Sequence, residues 1–72
     1  MFIHVNYVSG NGSYSLKVDK DEKISAVKTR IGKIEGTDPE EIWLKSGLDY
    51  LDDDDKKISD YDIKGGSMIK LW

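Results

Sequence analysis

The 72-residue chain has no cysteine, one proline and one histidine. Without thiols it has no disulfide staple and no thiolate metal site. With His4 as the lone histidine, no pair of transition-metal ligands assembles, so neither a metal nor another cofactor is expected. No apolar run approaches the roughly 18 residues of a membrane span and no secretory signal precedes the domain. A membrane is therefore not an expected partner, and the cytoplasm, the nucleus or both are the expected location. Basic residues are the scarcer charge, 11 against 14 acidic, for a net −3. Nucleic-acid binding needs a dense basic footprint and is not expected either. A chain this short buries only about 60% of the surface its unfolded form exposes. Burial and regular hydrogen bonding must hold it unaided, which calls for one domain, 1–72, with a sheet packed on a helix.

What charge there is lies unevenly. Residues 35–62 carry eleven acidic and three basic side chains, net −8, and the remainder carries +5. Such polarity can steer a charged protein partner.

Two periodicities organise the chain. From Phe2 to Val8, Ile3 and Val5 share one face, and Phe2, His4 and Asn6 the other, the alternation of a strand. Ser9-Gly10-Asn11-Gly12 is a turn, after which Tyr14, Leu16 and Val18 alternate with Ser15 and Lys17 in a returning antiparallel strand. The period then lengthens: Ile24, Val27, Ile31 and Ile34 are spaced by 3, 4 and 3, one stripe of a helix. Gly36 suits a left-handed helix end. Lys23 is a poor cap, although Asp21 favours the first turn through the helix dipole. Gly32 inside the helix costs on the order of 1 kcal/mol relative to alanine.

Asp38-Pro39 is a turn in which Asp38 can cap. Ile42, Trp43 and Leu44 open a third strand that ends near Ser46-Gly47. Tyr50-Leu51 is at most a very short strand, Asp52 to Lys57 a polar loop, and Ile58 to Tyr61 a single helical turn. After Gly65-Gly66, Ile69 and Leu71 share a face of a last strand. The order is strand, strand, helix, strand, short strand, strand.

That order, over the whole chain, resembles ubiquitin. The residues that carry the resemblance are Met1-x-Ile3-x-Val5, Ile24-x-x-Val27-Lys28-x-x-Ile31 and Glu35-Gly36-x-x-Pro39, followed by Leu44, Leu51, Ser59-Asp60-Tyr61-x-Ile63 and Ile69-x-Leu71. Each piece is weak alone; their ordered spacing is specific. The resemblance implies an α+β β-grasp fold, a mixed sheet of four to five strands packed on one helix, with the inward residues just named as its core.

The departures bear on function. Ubiquitin's sheet face carries an aliphatic patch that many partners grip, and the matching positions here are Val8, Lys45 and Trp72. Lys45 puts a charge where the central isoleucine is expected, and Trp72 enlarges its neighbour. Positions matching the lysines best known for chain building are Asp49 and Gly65. Lys28 remains, a lysine that in this family tends to be tied into the fold. The register implied by the resemblance sets Trp43 opposite Trp72 and Lys45 opposite Lys70, with Leu48 and Tyr50 alongside. Two tryptophans and two lysines then share an exposed face, on which the rings can stack and take cation–π contacts, and an acidic, amphipathic peptide fits it. The plainer reading is that the tryptophans only stabilise the sheet and the lysines are solvated.

Other candidates carry less. His4 points outward and reads as solvated. Asp52-Asp53-Asp54-Asp55-Lys56 lacks the alternating ligands and central glycine of a calcium loop and reads as a solvated acidic loop. The same string is the recognition sequence of enteropeptidase. Gly10-Asn11-Gly12 is not a phosphate loop, because a strand follows it. No nucleophile or acid–base constellation assembles, so an enzyme is not expected.

The expected function is a non-catalytic, monomeric interaction domain, N-terminal in a longer protein, that docks protein partners such as ubiquitin–proteasome system factors. The expected site is Val8, Trp43, Lys45, Leu48, Tyr50, Lys70 and Trp72. The alternative is a covalent modifier or its precursor, which requires residues beyond Trp72 ending in Gly-Gly. A sulfur carrier of the same fold requires the same tail.

Overall fold

Strand alternation is met in the first hairpin, where β1 (Phe2–Tyr7) pairs antiparallel with β2 (Gly12–Lys17). Ile3 lies opposite Leu16 and all but disappears from solvent with it, while Phe2, His4, Ser13 and Ser15 face outward. The computed structural model describes residues 1–8 and 12–72. Of the predicted turn, Ser9, Gly10 and Asn11 lie outside the described residues. Met1, grouped with the inward residues, is instead partly exposed; its backbone is what is anchored, through its amino group to the Val18 carbonyl at 3.0 Å and its own carbonyl to the Val18 N–H at 2.8 Å.

Helix α1 (Ile24–Glu35) buries Ile24, Val27, Ile31 and Gly32 against the sheet and its connections. Ile34, expected on the same stripe, is 55% exposed. The reason lies in the last turn, where the covering neighbour changes sides. The returning segment packs over Gly32, so that a Cβ there would sit 2.6 Å from the Thr37 carbonyl oxygen and 3.4 Å from Pro39. Gly32 and Ile34 are about 160° apart around the axis at 100° per residue, so covering one uncovers the other. Gly36 ends the helix at φ 69°, as expected. The start differs from expectation: no acidic residue lies in the first turn, so Asp21 is outside it, and Lys23 makes no side-chain cap. The open N–H groups are met by a distant loop, Ile24 donating to the Lys56 carbonyl at 2.9 Å and Ser25 to the Asp54 carbonyl at 3.2 Å.

Asp38 accepts from the Glu40 N–H at 3.0 Å and caps a 3₁₀ turn, Pro39–Glu41. β3 (Leu44–Ser46) begins later than expected, with Ile42 and Trp43 leading into it, and β4 is Asp49–Tyr50 rather than Tyr50-Leu51. Leu51 still belongs to the core. The single turn Ile58–Tyr61 forms as expected, with the Asp60 carboxylate accepting from the Lys57 N–H at 2.9 Å. β5 (Met68–Leu71) completes a five-stranded sheet in the order β2-β1-β5-β3-β4. β5 runs parallel to β1 and antiparallel to β3. The sheet grips the helix in the β-grasp arrangement. Among the described residues every fully buried large side chain is Ile, Leu or Val, and no charged side chain is buried. Burial of such side chains stabilises by roughly 1.5–3 kcal/mol each before conformational entropy is subtracted. Tyr7, Tyr14 and Tyr61 pack against this core from its margins.

Two margins are measurable. Gly32→Ala improves helix propensity yet forces a Cβ onto the Thr37 carbonyl, so we expect a loss of about 1–3 kcal/mol in denaturant unfolding rather than the gain propensity alone implies. The Tyr14 hydroxyl is buried without a partner among the described residues. Its pKa lies above the ordinary 10.0, first through burial and then through the Glu35 carboxylate. Tyr14→Phe should therefore stabilise by about 1 kcal/mol at neutral pH. In the parent, the unfolded tyrosine ionises near 10 while the folded one holds its proton, so Tyr14 costs stability as pH rises past that value. The two proteins' stability difference should widen in alkaline melts, and a constant difference would contradict this.

Candidate interaction face

The outward face of the sheet is ordered into transverse rows by its register. Asn6 lies beside Lys70, Lys70 opposite Lys45, and Lys45 opposite Tyr50. Two residues further along the strands runs an apolar row. Trp43 and Trp72 exchange backbone hydrogen bonds at 3.5 and 3.0 Å, and Val8 N–H donates to the Leu71 carbonyl at 2.9 Å, which brings Val8 next to Trp72. The expected pairings of Trp43 with Trp72 and of Lys45 with Lys70 are therefore both present.

The ring contacts differ from expectation. Trp72 packs not on Trp43 but on Tyr50, with centroids 6.2 Å apart and planes tilted by 34°. The cation–π ring is likewise Tyr50, with Lys45 Nζ 5.0 Å from its centroid. Directly opposed lysines repel. Lys45 sets its ammonium over the ring of Tyr50 on the two-residue edge strand β4. Among the described residues the ion pairs are Lys28–Asp54 and Arg30–Glu22, so neither the half-buried Lys45 nor the exposed Lys70 has a carboxylate partner there. Trp43 is 58% exposed and Trp72 41%. Leu48, 92% exposed, sits on the β3–β4 turn beside Tyr50, at the mouth of a groove that also takes in Asp49, Asp52 and Asp60. The structure thus brings Val8, Trp43, Lys45, Tyr50, Lys70 and Trp72 onto one surface, with Leu48 at its edge.

Sequence reasoning left two features out of the site. Asn6 extends the lysine row onto β1. Phe2 and Met68 expose a second apolar pair at the far end of the same face. Outward parity alone marks all three, but parity ranks none of them. His4 is exposed, within 3.4 Å of the Ser15 hydroxyl.

This architecture and this face can be set beside known proteins. The Ubiquitin family model matches residues 2–72. The chain belongs to the ubiquitin family. It is 34% identical over 71 residues to the ubiquitin-like protein NEDD8 of Dictyostelium discoideum, covering 99% of this chain and 90% of that protein. Its fold superposes on the solution structure of a ubiquitin-like domain from an Arabidopsis thaliana protein with a TM-score of 0.92 and 25% identity, over 100% of this chain and 74% of the other. The residues that the resemblance matches to ubiquitin's aliphatic patch, Val8, Lys45 and Trp72, all lie on this face.

The other charged features are structural. Among the described residues no cluster of three or more His, Asp or Glu side chains is arranged to hold a metal ion. No helix among them is long and apolar enough to cross a membrane. The Asp52–Lys57 loop is tied to the fold at several points. Asp53 N–H donates to the Tyr61 hydroxyl at 3.2 Å, Lys28 Nζ reaches Asp54 at 3.0 Å, and Lys56 Nζ lies 5.5 Å from the Tyr61 ring centroid. Lys28 is thus held by the fold, as the resemblance implied. Lys56 N–H also closes a turn onto the Asp53 carbonyl at 3.2 Å. A protease must take this segment in extended form. Enteropeptidase should therefore leave the native domain intact and cleave after Lys56 only as fast as the loop opens. Tyr61→Phe, which deletes the Asp53 contact, should raise the cleavage rate measured by mass spectrometry under native conditions.

Proposed function

We propose that this ubiquitin-family domain is a non-catalytic protein-interaction module whose partners dock on the outward sheet face, and that those partners present acidic, amphipathic segments. The observation that carries the reading is the pair of lysines without carboxylate partners, Lys45 and Lys70, set against the exposed rings of Trp43, Tyr50 and Trp72. Tryptophan and tyrosine are enriched where binding energy concentrates. An ammonium pair without carboxylate partners among the described residues adds attraction and orientation for carboxylates. Factors of the ubiquitin–proteasome system are the natural class to search, with one restriction: a binder shaped for an aliphatic centre meets Lys45 there and must desolvate its charge.

A second reading, a covalent modifier, is favoured by the 34% identity to NEDD8 across nearly the whole chain. It requires a Gly-Gly carboxylate beyond Trp72. The open reading frame past that residue, and thioester formation by the resulting chain on a ubiquitin-type activating enzyme, discriminate between the two.

The interaction reading is tested by affinity capture with the domain, followed by calorimetry on the captured partner. Trp43→Ala should weaken binding about 30-fold and Lys45→Glu about tenfold, with both variants still folded by circular dichroism. Equal affinity of the parent and both variants would remove this face from the function.

A further inference from the structure

Beyond Trp43, at the margin of the sheet, lies a pocket of about 120 Å³. Its floor is apolar, formed by the core residues Ile42, Leu44 and Leu51. Its wall is the exposed Trp43, and its rim carries the exposed carboxylates of Glu40 and Asp52. Two separate elements set that rim. Glu40 stands in the 3₁₀ turn Pro39–Glu41, which Asp38 caps. Asp52 follows β4, where the Leu51 N–H donates to the Leu44 carbonyl at 2.9 Å and brings Asp52 alongside Trp43. Neither carboxylate belongs to an ion pair among the described residues. Lys28 also lines the pocket, but its ammonium is taken by Asp54 at 3.0 Å. Tyr50 lines it too, but its ring already carries the Lys45 ammonium 5.0 Å from its centroid. Trp43 is therefore the ring open to a second cation.

Size and charge narrow the occupant. Pockets for free small molecules start at about 300 Å³. This one has the volume of roughly four waters at about 30 Å³ each, which suits a single side-chain head. Two carboxylates on the rim call for a cation. A hard divalent ion asks for about six to eight oxygen ligands and gains nothing from an apolar floor. A long basic side chain uses every part of the site: its methylene stem lies on apolar surface while its head keeps to the polar rim. Of the two basic side chains, arginine matches better. Its guanidinium is planar, stacks on an indole and bonds carboxylates through a fork of donors, whereas an ammonium is a compact, strongly hydrated point charge.

Resting on the interaction reading above, we propose that this pocket is the subsite for one arginine side chain of the docked protein partner. The guanidinium lies against the Trp43 indole and bonds Glu40 and Asp52, and its stem covers the apolar floor. The subsite also gives the partner a direction. Lys45 and Lys70 take its carboxylates at the middle of the sheet, and the pocket takes its arginine at the β3–β4 margin. A partner turned end for end sets like charge against like at both places.

The test titrates three probes into the intact 72-residue chain, followed by backbone amide and indole N–H shifts. They are the N-acetyl methylamides of arginine, of lysine and of citrulline, the last being the neutral shape mimic of arginine. Arginine should bind with a Kd on the order of a few millimolar, as one side chain of a larger interface does. Lysine should bind about fivefold more weakly and citrulline about tenfold. Shifts should centre on Trp43, Leu44, Leu51 and Asp52. The Glu40→Gln/Asp52→Asn double variant, checked for folding by circular dichroism, should lose about tenfold for arginine and nothing for citrulline. Citrulline binding as tightly as arginine overturns the charge match, and lysine binding as tightly overturns the guanidinium assignment. Arginine shifts centred on Asp49, Asp60 and Asp62 show attraction to acidic surface at large and overturn the pocket. A captured partner separates this proposal from the reading beneath it. If its affinity falls with Lys45→Glu but not with Glu40→Gln/Asp52→Asn, the pocket is overturned and the face stands. If its affinity is indifferent to Lys45→Glu, the face reading itself fails, and this proposal with it.

Discussion

The register of β5 is the constraint on which the molecule depends. This strand joins the N-terminal hairpin to the β3–β4 pair, running parallel to β1 and antiparallel to β3. Its alternation sends Ile69 and Leu71 into the core and Met68 and Lys70 outward. A slip of one residue exchanges these sets. The core would then receive an ammonium and a thioether, and two of its fully buried side chains would face water. The same register that closes the core thus composes the outer face. Lys70 meets Lys45 because Leu71 meets Leu44.

Backbone groups at the helix ends are satisfied by the chain's return, with few dedicated capping side chains. The first N–H groups of α1 are met by carbonyls of the acidic loop, and near the other end the Gly32 carbonyl accepts from the N–H groups of both Gly36 and Thr37 as the chain turns back. This arrangement makes local sequence weak at both ends and tertiary structure strong. It also explains why the run of four aspartates is tolerated beside the helix N-terminus. The loop brings carbonyl dipoles and negative charge to the positive end of the helix, and Lys28 neutralises part of it.

These two mechanisms define what the sequence makes legible. Wherever one face is buried along a whole element, period alone identifies the core: Ile3, Val5, Leu16, Ile24, Val27, Ile31, Ile69 and Leu71 are all read from spacing and all buried. Period fails at Ile34 because covering there is decided by the return of Thr37–Ile42, which is a tertiary event. The opposition of Trp43 to Trp72 is legible through the family pattern, since register is backbone geometry. The choice of Tyr50 as partner of both Trp72 and Lys45 is not, because it is decided by side-chain rotation above a fixed sheet. In the same way the loop reads as acidic from its letters, but its service to the helix N-terminus is carried by backbone carbonyls, which have no letter.

Replacing an aliphatic centre with Lys45 changes the physics of the face more than its size. An aliphatic patch binds by burial, a driving force that is non-directional and little affected by salt. On the interaction reading proposed above, a face with two ammoniums beside aromatic rings binds by directed contacts that weaken as salt rises, and it rejects a partner that leaves an ammonium buried and unpaired. Trp43 and Trp72 supply apolar area comparable to what the aliphatic residues would have given. On that reading the charge adds selectivity to the apolar contact that Trp43 and Trp72 offer.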